Sequence, residues 1–129
     1  MKHLLHIIFA ATILLTAGCA ADRSPRSLAK HFYKSIANGE YDDALSHTTL
    51  ATDIDLELYH AIMNKVSTSI EAKGGVKKIE IVSEELSEDE QSAVVEVAIT
   101  YANGTTETEY CDVIFKDEKW VVDVALYSK

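Results

Sequence analysis

Two cysteines, five histidines and a surplus of carboxylates are the side chains of this sequence equipped for chemistry. Cys111 stands in an alternating apolar run, which suits a small buried hydrophobe better than a nucleophile, and no histidine falls beside it. His31, His47 and His60 fall on three separate predicted helices, without the paired spacing of a zinc site. His31 also lies off the apolar stripe of its helix and reads as exposed. Glu84, Glu85, Glu88, Asp89 and Glu90 lack the spaced acids and central glycine of a calcium loop. They read as a solvated hairpin tip. No catalytic residue, metal ligand or cofactor site is assigned on this basis. Cys19 differs from all of these, because small residues lead up to it in Leu15-Thr16-Ala17-Gly18-Cys19.

Upstream of that stretch, Lys2 and His3 precede an apolar run from Leu4 to Leu15. A positive start, a short apolar run and small residues before a cut make a secretory leader. The run falls well short of the roughly 20 residues of a spanning helix. The stretch resembles the lipobox of bacterial lipoproteins, with Thr16 where that motif usually carries Leu. The resemblance implies a signal peptide over 1–18, a lipidated tether over 19–23 and lipidation, including palmitate, at Cys19. Cys111 then has no cysteine to pair with.

Composition narrows the partners. The 129 residues carry 12 Lys+Arg and 21 Asp+Glu, a formal net charge of −9, and loss of Lys2 with a leader deepens it by one. Such a chain is repelled by phosphate backbones and anionic lipid heads, so nucleic acid is excluded. Membrane attachment would rest on acyl chains alone. Past Cys19 the length suits one domain, taken as 24–129.

Periodicity supplies the elements. Ser24-Pro25 starts a helix, Leu28, Phe32 and Ile36 give it one apolar face, and Asn38-Gly39 stops it. Tyr41 to Thr48 makes a short second helix. Asp53 or Asp55 caps a third, whose apolar positions are Leu56, Tyr59, Ile62, Met63, Val66 and Ile70. Gly74-Gly75 then releases the chain into four strands. The first carries Ile79 and Ile81. The second buries Ala93, Val95, Val97, Ile99 and Tyr101; the third Cys111, Val113 and Phe115; the fourth Trp120, Val122, Val124 and Leu126.

Facing residues on neighbouring strands must point the same way. A three-residue loop of Ala102, Asn103 and Gly104, with Gly104 left-handed, satisfies this by pairing Tyr101 with Thr105. Val95 then faces Cys111, and Glu96 faces Tyr110. Across the last turn Phe115 faces Trp120, Val113 faces Val122, and Asp112 faces Asp123. Glu96, Asp112 and Asp123 thus gather on the sheet face away from the helices. That face also carries Val94, Ala98, Ile114, Val121 and Ala125, an expected homodimer surface.

Three helices followed by a curved antiparallel four-stranded sheet, an α+β arrangement, resemble the nuclear transport factor 2-like cone. Phe32, Asn38-Gly39-Glu40-Tyr41 and Ala44 look like the opening of that family. Gly74-Gly75 before Ile79-Glu80-Ile81, Tyr101-Ala102-Asn103-Gly104 and Lys119-Trp120 look like its branch of small lipoproteins of unknown function, near lumazine-binding-like domains. The resemblance implies an anchored module without a known reaction. Isomerase-like members place a tyrosine donor seven residues before the glycine that ends the first helix. That position is Phe32 here, and Tyr33 lies about 100° round the helix. No acid is expected on the core face near its apolar centre, which argues against acid–base chemistry.

The expectation is therefore a lipid-anchored protein of the bacterial cell envelope, on the periplasmic side of the outer membrane. It would be a non-catalytic module binding a small apolar ligand or an envelope protein, in a cone lined by Tyr59, Met63 and Tyr101. An isomerase- or dehydratase-like enzyme and a structural homodimer are the alternatives.

Overall fold

The computed structural model describes residues 24–51 and 54–124. The expected leader, tether and Cys19, together with Ala125 and Leu126, lie outside them. Among the described residues no helix is long and apolar enough to cross a membrane.

Helix α1 spans Pro25–Ala37. Ser24 caps it, its Oγ accepting from the Ser27 N–H at 3.2 Å. Such a cap contributes about 1 kcal/mol. The helix stops where Gly39 turns left-handed (φ +77°) and the Glu40 N–H reaches the Ser35 carbonyl at 2.8 Å. Helix α2, Tyr41–Ser46, folds straight back against α1. Helix α3, Leu56–Ala72, is capped by Asp55, whose Oδ1 accepts from the Glu57 and Leu58 N–H groups.

Strands β1 (Val76–Leu86), β2 (Ser92–Tyr101), β3 (Thr106–Lys116) and β4 (Lys119–Val122) form one antiparallel sheet in the order β1-β2-β3-β4. The hairpin after β2 has the expected register. Tyr101 N–H donates to the Thr105 carbonyl at 2.8 Å, Gly104 is left-handed (φ +92°), and Val95 faces Cys111. Phe115 faces Trp120, Val113 faces Val122, and the Asp123 N–H extends that ladder to the Asp112 carbonyl at 2.8 Å. Two register shifts in β1 bend the sheet.

The concave face is the core. Ala93, Val95, Val97, Ile99 and Tyr101 of β2, Cys111 and Val113 of β3, and Trp120 and Val122 of β4 pack with Leu28 and Ala29 of α1. Leu28, Val95, Val97 and Val113 are fully buried, each worth about 1.5–3 kcal/mol of transfer free energy. Helix α1 crosses all four strands. The edge of β4 is covered by the segment after α2, since the Val122 N–H donates to the His47 carbonyl and the Thr49 N–H to the Val122 carbonyl.

Several expectations are corrected here. Glu84 and Glu85 belong to β1, and the hairpin tip is confined to Ser87–Gln91, because an edge strand tolerates acids whose side chains reach solvent. Leu56 is 66% exposed, since only Tyr59 of α3 is buried. Phe115 is 39% exposed and meets core residue Trp120 edge to face at the rim. Val121 is buried rather than part of an exposed sheet face, whereas Val94, Val82 and Tyr110 are exposed there.

Candidate functional site

Helix α3 stands off the sheet along its middle and is fixed at its ends. At its start, Tyr59 packs inward and its hydroxyl reaches Asp42 Oδ1 at 3.4 Å. At its finish, the Ala102 N–H donates to the Gly75 carbonyl at 2.8 Å and the Asn103 N–H to the Lys73 carbonyl at 3.0 Å. Between these anchors a cavity of about 350 Å³ opens beneath α3. Its walls are apolar: Ile36 from α1, Val66 and Ile70 from α3, Val76, Ile79 and Ile99 from the sheet.

A few polar groups break those walls. Tyr33 and Tyr101 line the cavity, as do Glu107 and Glu109 of β3 and Lys65 and Ser69 of α3. Glu107 is already engaged. Lys73 Nζ lies 2.8 Å from its Oε2, and the Tyr101 hydroxyl donates to its Oε1 at 3.2 Å. The same ammonium sits 4.5 Å from the centre of the Tyr101 ring. Lys73 therefore holds the Glu107 carboxyl below its usual range, and Glu107 in turn raises the ammonium. Tyr101 is raised, first by burial and then by Glu107. The Tyr33 phenol is pushed well up, mainly by burial, with Cys111 and Glu109 adding to it. Among the described residues nothing hydrogen-bonds to that hydroxyl, so it is a neutral donor available to a guest.

Of the three residues expected to line the cone, Tyr101 lines this cavity and Tyr59 and Met63 do not. They line a second, smaller space of about 70 Å³ among the helices, with Phe32, Leu45 and Ile62. Burial, and after it Asp42, pushes the Tyr59 phenol up to about 12. Tyr59 and Met63 lie in the first half of α3, whereas Val66, Ser69 and Ile70, which line the larger cavity, lie in the second. The expectation of no acid on the core face near its apolar centre does not extend to Glu107 and Glu109, which border the cavity from the first half of β3. Their odd numbers put them in line with Cys111 and Val113, so strand parity alone carries the signal. Tyr33, about 100° round the helix from Phe32, also lines the cavity.

The acids of the outer face are placed as their register requires. Glu96 faces Tyr110 and accepts from Ser83 Oγ at 3.1 Å, and Asp112 is followed across the ladder by Asp123. Among the described residues, a different trio stands close enough for one ion: His31, Asp43 and His47, with a ligand atom of each within 4.8 Å of the others. The sequence puts these histidines on separate helices, and the tight return of α2 onto α1 is what joins them. His31 Nε2 lies 2.7 Å from Asp43 Oδ2, and the buried Ser35 donates to that same oxygen at 2.6 Å.

The profile of a family described as a domain of unknown function, DUF4878, matches residues 17–123. The chain belongs to the DUF4878 family. No curated relative matches this DUF4878 chain. Among solved structures it is similar to the "Putative NTF2-like transpeptidase" of Campylobacter jejuni, at 24% identity and a TM-score of 0.63, covering 79% of this chain and 99% of that one. The likeness shows the fold: this DUF4878 domain is a nuclear transport factor 2-like cone, an α+β structure of three helices on a curved four-stranded sheet.

Proposed function

We propose that this protein is a non-catalytic binding module of the bacterial cell envelope, anchored through Cys19, whose cone takes a small, largely apolar ligand. The observation that carries the reading is the cavity under α3, with apolar walls and a phenol available at Tyr33. About 350 Å³ lies at the lower end of ligand sites. A phenol donor among largely apolar walls orients a guest without chemistry of its own. The lipobox-like stretch before Cys19 supports the anchor, and a mature N-terminus at a lipid-bearing Cys19, read by mass spectrometry, is the expected outcome; a free Ala20 terminus would remove it.

The experiment for the cavity uses Nile red, a neutral dye. Saturable enhancement at one site is expected, and Val66→Trp, which fills the space from α3, should abolish it while the domain stays folded. Binding indifferent to that substitution would place the dye elsewhere and end the proposal. A catalytic reading draws on Tyr33 and Glu109 sharing one wall. It is the weaker one, because Glu109 is exposed to water and the depressed Glu107 is a poor base.

A further inference from the structure

We infer that His31, Asp43 and His47 form a binding site for a divalent first-row transition ion, with zinc the reference case, on the flank of the α1–α2 hairpin. Two imidazoles and one carboxylate are a donor set suited to such ions. Tetrahedral zinc with bonds near 2 Å sets its ligands roughly 3.3 Å apart. The three ligand atoms here lie within 4.8 Å of one another, so side-chain rotation alone closes the site.

The surroundings of the trio match what such a site requires. Ser35 is buried and its hydroxyl donates to Asp43 Oδ2 at 2.6 Å, which fixes the carboxylate. His47 Nδ1 lies 2.9 Å from the Asp43 backbone carbonyl. A carbonyl only accepts, so Nδ1 carries the proton and Nε2 is the lone-pair nitrogen of the neutral ring. The His47 backbone is tied to β4, because its carbonyl accepts from the Val122 N–H at 2.8 Å. The two imidazoles meet edge to face with centroids 4.9 Å apart. His31 and Asp43 are 40% and 43% exposed at their side chains, so an ion can enter, and a remaining coordination position is left to water or an outside donor.

Binding makes three coordinate bonds and gives up the His31–Asp43 hydrogen bond. At His31 the ion takes the place of the Nε2 proton, and the neutral ring carries its proton on Nδ1 instead. The ion would then clamp α1 to α2 in place of the present His31–Asp43 contact, on residues separate from those lining the ligand cavity.

The test is a zinc titration of the purified, tag-free protein after chelator treatment. One saturable site, with a rise in melting temperature, is expected. His47→Ala and Asp43→Asn should each weaken binding at least tenfold, and His60→Ala, which alters an exposed histidine outside the trio, should leave it unchanged. X-ray absorption of the zinc-loaded wild-type protein should show two imidazole ligands, a reading independent of whether any variant folds. Absence of saturable binding, binding undiminished in folded His47→Ala, or a zinc spectrum without imidazole would overturn the site.

Discussion

Cys111 shows how far one residue constrains a sheet. It is buried opposite Val95, and burial pushes its thiol up to about 12, so little thiolate exists near neutral pH. In a Cys19→Ala background, a thiol reagent should label the native protein at least about tenfold more slowly than the urea-unfolded chain. Cys111→Ser should cost on the order of 1–3 kcal/mol in urea denaturation, because it buries a hydroxyl without an assured partner. Fast native labelling would show that β3 presents its other face to the core. This residue was legible in the sequence because period-two alternation marks it without reference to anything distant. Glu107 and Glu109 were equally legible by the same parity, although acids invite a reading as surface. His31 and Asp43 were not, since twelve residues and a turn separate them. No local pattern records that Gly39 brings α2 back at the angle that joins them.

The elements divide in the same way. Caps, stops and the β2–β3 register follow from neighbours in sequence, so Ser24, Asp55 and Asn103-Gly104 announce them. The height of α3 above the sheet does not, because periodicity gives the face that turns inward but not how closely it packs. Tyr59 and Met63 accordingly miss the main cavity. What holds α3 at its far end is the contact of Gly74-Gly75 with the β2–β3 hairpin. Both glycines are left-handed, at φ +86° and +95°. A Cβ at Gly74 would also lie 3.1 Å from the Ala102 Cβ, whereas one at Gly75 meets nothing within 4 Å. Each alanine substitution therefore costs about 1–2 kcal/mol for its backbone conformation, and Gly74→Ala costs more by the crowding against Ala102. Urea denaturation should rank Gly74→Ala below Gly75→Ala, with Ala102→Gly restoring part of the difference. Equal losses would mean that the hairpin does not fix the helix.

At the scale of the molecule, an acidic chain closes its cone with one of its few cations. Lys73 bridges the end of α3 to Glu107 on β3 and stacks over Tyr101 at the cavity wall. The folded pKa of Glu107 is lowered, so its contribution is present above the unfolded carboxylate value of about 4.3 and is lost as pH falls through the folded value. The folded pKa of Lys73 is raised, so its contribution is present below the unfolded value of about 10.4 and is lost only as pH climbs through the folded one. The clasp is therefore intact at neutral pH and fails on the acid side first. Asp43 is lowered as well, chiefly by the Ser35 hydroxyl, and weakens in the same direction. Both clasp partners are partly exposed, so added salt should shrink the effect. Thermal melts of wild type and Glu107→Gln should differ most near neutral pH and converge as pH falls below about 4. Nile red binding should weaken over the same range if the clasp sets the cavity wall. A difference between the two proteins that is flat across this range would assign Glu107 no electrostatic part in closing the cone.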